Sequence, residues 1–331
     1  MNKTDKKKDR PFVFVRCMTF NHEAYIEDAL NGFIIQQTTF PFVVAIINDA
    51  STDKTKSVIN EFVENNCIHN PEIDLRIEEY GTVLDVTVKD NPHCIFHIVH
   101  LNENHYGKKS KLPYFAKYEN AAKYVAICEG DDFWTDPLKL QKQVDFLESH
   151  PEYSMCFHGA EIKNETDTKI ITTCQNIEDK EYFTNDIFPG WVVPTASVVY
   201  RRSMVDGFPP LKQTNWMKYG DIVLFLKCTH TGRVWGMKDK MSVYRMTNNG
   251  VVISQSLDPK SEEKICNHYR FLMMNYPQLD KKWPSEYIAQ YYYTKFRNIK
   301  KNGDKLRCLF VALRFSPCMV LEKLYSAIKR I

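Results

Sequence analysis

The stretch Tyr124-Val125-Ala126-Ile127-Cys128-Glu129-Gly130-Asp131-Asp132-Phe133-Trp134-Thr135-Asp136-Pro137 decides the fold class. Its first four residues are mostly apolar and predict a short buried strand, which Glu129, Gly130, Asp131 and Asp132 end. Asp136-Pro137 predicts a helix start, with aspartate as N-cap and proline at the first helical position. Leu140, Val144 and Leu147 then share one helix face. Two adjacent carboxylates are thereby expected in a turn at the carboxyl end of a buried strand, where open α/β sheets place their ligands. Neighbouring side chains of extended backbone point in opposite directions, so one carboxylate can hold a divalent cation while the other addresses a second group. The competing reading is a solvated acidic turn. Phe133 and Trp134, which follow directly, are bulky aromatics that solvated turns rarely need.

The chain has 331 residues, 44% of them hydrophobic, enough for one large core or a core plus a smaller lobe. Its 44 basic and 41 acidic residues leave a net charge of only +3, which argues against bulk binding of nucleic acid. The 18 Tyr, 20 Phe and 5 Trp can serve as platforms for bases and sugars or simply fill a core. Ten cysteines occur without a Cys-x-x-Cys pair, several in apolar runs, which points to buried thiols in a reducing compartment. Residues 1–10 form a polar basic tail without a signal-peptide hydrophobic region, and no apolar run reaches the length of a membrane span. These features point to a cytoplasmic protein, with association at a membrane face left open.

Taken in order, Phe12 to Cys17 predicts a strand and Tyr25 to Gln36 a helix with Ile26, Ala29, Leu30, Phe33 and Ile34 on its apolar face. Gly32 weakens that helix. Phe42 to Ile47 predicts a second strand, followed by a helix carrying Val58, Ile59, Phe62 and Val63. Strand, helix, strand, helix implies right-handed crossovers, a mostly parallel central sheet and an α/β fold. Neither a Gly-x-Gly-x-x-Gly fingerprint nor a Walker loop is present, so any nucleotide is held another way. Asp49, at a strand end, can accept from a uracil-like N–H or cap the next helix, a job Ser51, Thr52 and Asp53 can also do. Cys94 to Leu101 predicts a strand. The histidines around it, His93, His97, His100 and His105, are bunched enough to raise a metal site, but they do not form His-x-x-x-His on a convincing helix. Gly107 to Lys111 is a basic turn that either meets a diphosphate or is solvated. Residues 161–186 have no strong period and predict an excursion loop. Val234 to Met237 and Lys240 to Tyr244 predict a short strand pair, and 245–254 a polar loop. Two helices, 259–276 and 285–299, precede a basic, apolar segment from Leu306 to Ile331. It either packs on the body or lies on an anionic membrane surface.

Three blocks together carry a resemblance. They are Met18-Thr19-Phe20-Asn21-His22-Glu23-Ala24-Tyr25-Ile26, Ile46-Ile47-Asn48-Asp49-Ala50-Ser51-Thr52-Asp53-Lys54-Thr55 and Glu129-Gly130-Asp131-Asp132-Phe133-Trp134. The chain resembles inverting nucleotide-sugar glycosyltransferases of family 2, and among them bacterial enzymes that build capsule, O-antigen and other surface polysaccharides. The resemblance implies a GT-A fold, Rossmann-like, with a helical C-terminal extension. It implies a glycosyltransferase domain over 11–255, with a nucleotide-sugar half (11–136) and an acceptor-side half (137–255), followed by an extension over 256–331.

The resemblance also implies a nucleoside-diphosphate sugar donor, for preference a UDP-sugar, and a glycan or lipid-linked saccharide acceptor. On the donor it places Thr19, Asn21, Asp49, Asp131 and Arg245. Asp132 becomes the ligand of Mn²⁺ or Mg²⁺, and Asp221, following Gly220, the catalytic base. Trp134, Thr195 and Ser197 fall on the acceptor or sugar side, the last two equally open to a backbone-capping role. Two departures stand out: Asn48 replaces the commoner aspartate, and Thr247 stands where many relatives have histidine. The rival functions are a metal-dependent nucleotidyltransferase and a non-catalytic nucleotide-sugar or glycan-binding protein.

Overall fold

The computed structural model describes residues 11–68, 70, 74–166, 169–188, 192–205, 219–247, 261–299 and 302–328. Residues 1–10, expected as a basic tail, and 248–254 of the polar loop expected over 245–254 lie outside them, while 245–247 are the end of a strand and not loop.

The first unit takes in the described residues of 1–183, 191–212 and 227–248. Its elements begin with β1 (Val13–Thr19), α1 (Ile26–Ile34), β2 (Phe42–Asn48) and α2 (Thr55–Asn66). Four strands follow: β3 (Cys67–Ile68), β4 (Leu75–Glu78), β5 (Gly81–Val88) and β6 (Asn91–Leu101). Next come α3 (Ala116–Ala121), β7 (Tyr124–Ile127), β8 (Phe133–Trp134), α4 (Lys139–Ser149), β9 (Tyr153–Thr166), β10 (Lys169–Gln175) and β11 (Lys180–Glu181). The short β12 (Val199–Arg201) and the long β13 (Arg233–Thr247) complete the sheet. The order is β11-β13-β9-β12-β7-β1-β2-β6-β5-β3.

The centre, β7-β1-β2-β6, is parallel, while β12 beside β7 and β5 beside β6 run antiparallel. Every residue of β2 is buried, as a strand covered on both faces requires. On one side α1 buries Ile26, Ala29, Leu30 and Phe33, the face its spacing predicts. Gly32 turns out to be an asset. A Cβ there would come within 2.8 Å of the Trp134 backbone, so only glycine lets α1 lie against β8.

Three expectations need correction, and one stretch had no reading. Residues 161–186 are not a loop, because β9 runs on to Thr166 and returns as β10 in an antiparallel arm. Val234 to Tyr244 is not a strand pair but part of one strand, β13, parallel to β9, with irregular register between Met237 and Ser242. Residues 65–93 hold β3, β4 and β5, which sequence periodicity did not resolve. The helix after the acidic turn begins at Lys139. Asp136 caps the turn before it, Oδ1 accepting the Leu138 N–H at 2.8 Å.

The second unit takes in the described residues of 184–190, 213–226 and 249–331. It contains α5 (Thr184–Ile187), the first part of α6 (Gly220–Thr231), α7 (Ser261–Asn275), α8 (Lys282–Asn298), α9 (Asn302–Phe315) and α10 (Pro317–Ile328). Ala289, Tyr293, Ala312 and Val320 form the core joining α8, α9 and α10. Among the described residues, no helix is long and apolar enough to cross a membrane.

Candidate functional site

The carboxyl ends of β1, β2 and β7 lie side by side, and the loops leaving them are laced together. Asn21, in left-handed backbone at φ 56°, donates its N–H to Ser51 Oγ at 3.0 Å and accepts the Thr52 N–H on Oδ1 at 2.8 Å. The Glu23 N–H reaches Asp53 Oδ2 at 3.0 Å, and the Lys54 N–H returns to Glu23 Oε2 at 2.8 Å. Asn48 accepts the Ser51 N–H at 3.1 Å, while Ala50 sits at φ 56°. Two non-glycine residues in left-handed backbone at one sheet edge are strain of the kind found at ligand sites.

The acidic turn is fixed from both sides. Glu129 Oε2 accepts the Met18 N–H at 2.9 Å, and the Gly130 N–H donates to Met18 O at 2.9 Å. A Cβ on Gly130 would lie 2.8 Å from Thr19 Cβ and 3.0 Å from His22 Nδ1, so β1 can approach only a glycine. From β13, the Arg245 N–H donates to Asp132 Oδ1 at 2.9 Å and its Nη1 to Asp131 O at 3.0 Å. Nη2 pairs with Asp28 of α1, and the guanidinium lies against the rings of Phe133 and Tyr25.

Asp132 is 3% exposed, and burial followed by the nearby Asp131 carboxylate holds its pKa well above the ordinary carboxylate value. Glu129 is likewise pushed up by burial, to about 7. Beside them, the buried Thr19 Oγ1 and His22 Nδ1 make no hydrogen bond among the described residues. His22 Nε2 lies 3.8 Å from Asp131 Oδ2. A concentration of buried carboxyl groups with uncommitted polar atoms alongside suits a hard cation. Among the described residues no three His, Cys, Asp or Glu converge as a full metal cage. A carboxylate pair nevertheless fits Mg²⁺ or Mn²⁺ of the kind that takes its remaining ligands from phosphate and water.

The structure thus brings together Thr19, Asn21, Asp131, Asp132 and Arg245. Asp49 is at the same sheet edge, but Oδ1 takes the His105 N–H at 2.7 Å and Oδ2 the Lys111 ammonium at 2.8 Å. It anchors the basic turn instead of capping α2. Arg245, placed on the donor by the resemblance, has its guanidinium on Asp28 and on Asp131 O. Trp134, expected on the acceptor or sugar side, is turned inward in this structure. It is 1% exposed, packed edge-on to Phe33, with Nε1–H donating to Ala196 O at 2.8 Å. Ser197 is also core, its hydroxyl bonded to Pro194 O at 2.6 Å, the capping alternative for that residue. Thr195 opens the same short 3₁₀ turn and is partly buried. Asp221 lies in the first turn of α6, in the second unit.

The histidines hold partners within the protein: His93 meets Thr38 O, His97 meets Asp85 and Tyr114 O, His100 meets Asn48 and Asn60, and His105 meets the Tyr114 hydroxyl. Sequence reasoning gave no role to His22, Asp28 or Glu129. His22 and Glu129 at least lie inside the quoted blocks, whereas Asp28 is an ordinary first-turn helix acid by pattern.

No family model matches the chain. The uncharacterized protein Rv1520 of Mycobacterium tuberculosis is 32% identical over 237 residues, which is 71% of this chain and 58% of that protein. The chain therefore spans under two thirds of that relative's length. A Nostoc protein described as an uncharacterized glycosyltransferase is 21% identical over 232 residues, 69% of this chain and 62% of its own. Among solved structures, residues 1–349 of Staphylococcus aureus TarS in complex with UDP-GlcNAc superpose with a TM-score of 0.54 at 16% identity, covering 93% of this chain and 82% of that one. The mixed central sheet flanked by helices is the GT-A-like, Rossmann-like architecture of that structure.

Proposed function

We propose that the chain is a divalent-cation-dependent, inverting glycosyltransferase that moves a sugar from a nucleoside-diphosphate donor to a hydroxyl of a glycan or lipid-linked saccharide. The observation that carries this reading is the braced pair Asp131 and Asp132, set at the parallel sheet edge beside Thr19 Oγ1 and His22 Nδ1. The crystallised TarS fragment was solved with UDP-GlcNAc, which supports a UDP-sugar donor. Asp132 would hold Mn²⁺ or Mg²⁺, which when bound supplies Lewis-acid stabilisation of the leaving diphosphate, and Asp131 would face the ribose or donor sugar.

The protein's own groups do the rest. Arg245 fixes both aspartates so that their geometry is set before the donor arrives. Thr19 and Asn21 border the donor, and Asp49 accepts from the base once Lys111 yields or shares its carboxylate. Asp221 takes the proton of the acceptor hydroxyl as that oxygen attacks the anomeric carbon. One base is sufficient because the diphosphate leaves unprotonated. The setting that fits is surface-polysaccharide synthesis on the cytoplasmic side of the membrane.

The test is a panel of sugar nucleotides incubated with and without Mn²⁺, with nucleoside diphosphate and pyrophosphate both measured. Cation-dependent release of nucleoside diphosphate, lost in a folded Asp132→Ala variant, is expected. Pyrophosphate as the product would replace this reading by nucleotidyl transfer. Binding without turnover of any donor, across a range of saccharide acceptors, would reduce it to a binding protein.

A further inference from the structure

Helix α9 is two-sided in an unusual way. On its inner side Cys308 is buried, and Ala312 sits in the α8–α9–α10 core. Its outer stripe, Leu306, Arg307, Phe310 and Arg314, is exposed. Leu306 is 66% and Phe310 69% exposed, one helical turn apart and flush with two arginines. A soluble helix with a packed inner face carries polar residues outside. Here the outer face alternates large apolar and guanidinium side chains. The sequence around it has the same bias: residues 299–331 hold eight Lys or Arg against two Asp or Glu, in a chain whose total net charge is only +3.

We infer that the outer stripe of α9 seats on an anionic lipid surface. Leu306 and Phe310 would enter the headgroup–acyl boundary, while Arg307 and Arg314 stay level with the phosphates, their aliphatic stems covering the apolar rim. The charge excess selects this occupant over a second copy of the chain, because two such faces would bring four arginines into one interface. The inference does not depend on the enzymatic reading above.

The test is flotation of the full chain with phosphatidylcholine vesicles, with and without phosphatidylglycerol. Binding to the anionic vesicles only, weakened by salt, is expected. Replacing Leu306 and Phe310 together by Asp should cut that binding by at least about tenfold without lowering the melting temperature, since both side chains are already in water. Arg307→Gln and Arg314→Gln, which leave the apolar residues in place, should each cost about fivefold. Absence of binding, equal binding to neutral vesicles, or unchanged binding by folded variants would overturn the inference. So would a wild-type dimer in light scattering that the Asp variants dissolve, since the stripe would then belong to self-association.

Discussion

Lys139, the first residue of α4, is fully buried, with its ammonium nitrogen 2.7 Å from Gln143 Oε1 and 4.1 Å from the centre of the Trp134 ring. Burial lowers its pKa from 10.5 to about 7. The sign of the consequence follows from which state binds the proton more tightly. Between about pH 7 and pH 10.5 the unfolded chain holds a proton that the folded protein does not, so stability from this residue rises with pH across that window. Below it both states are protonated and the folded state carries the whole penalty, about 5 kcal/mol for a gap of that width. Lys139→Met removes the penalty and nearly conserves volume. It also leaves Gln143 Oε1 without its donor, at a cost of about 1–3 kcal/mol. The variant should therefore be about 2–4 kcal/mol more stable than wild type near pH 6, and less stable above about pH 9. Denaturant midpoints read by tryptophan fluorescence at several pH values would show the crossing. A variant destabilised equally at every pH would refute the reasoning, because it would mean that Lys139 contributes packing and a hydrogen bond but no buried charge.

Asp28→Asn should leave the melting temperature within about a degree, since an ion pair with one half-exposed partner adds little. It should lower kcat several-fold and raise the Mn²⁺ concentration needed for half-activation; unchanged cation dependence would deny Asp28 any positioning role through Arg245. Gly130→Ala drives a methyl group into Thr19 and His22 and should cost about 1–3 kcal/mol, measured by denaturant unfolding. A neutral outcome would mean that β1 and the acidic turn can separate freely. Asp221→Asn should bind donor and Mn²⁺ as wild type does, while transfer to the true acceptor falls on the order of 10²–10⁴-fold. Normal transfer would remove Asp221 from the mechanism.

The parallel centre of the sheet was legible because its strands are buried on both faces and so appear as unbroken apolar runs, β2 most plainly. Strands with one wet face were not. In β5, Thr82, Leu84, Asp85 and Thr87 are partly exposed between buried neighbours, which weakens the apolar signal. The outer half of β9 pairs with β10 beyond the core, so its Glu161, Lys163 and Asn164 carry no apolar pattern at all. β13 seemed to break at Lys238-Asp239-Lys240 because the chain accommodates those charges by a shift of register, not by a turn. Trp134 misled for a related reason. A two-residue strand, β8, pairs with β13 and turns the indole inward beneath α1, and nothing local announces a pairing with Ser242 and Val243.

The candidate site shows the same division more sharply. Residue type and position at a strand end expose Asp131 and Asp132, because two acids after an apolar run are unusual. What makes them usable is remote. Glu129 reaches Met18 across 111 positions, Asp132 is held by the Arg245 N–H across 113, and Arg245 is held in turn by Asp28 across 217. No local pattern announces these pairings, which form only once the sheet closes. The energetics explain why so many are needed. Buried carboxyl groups close together repel one another and lose hydration, so a turn carrying them relaxes outward unless fixed donors hold it. Backbone N–H groups and one guanidinium do this without neutralising the pair fully, which keeps its affinity for a cation. If that balance is the design, strengthening the brace further by a second cation beside Asp132 should stabilise the fold and weaken metal binding together.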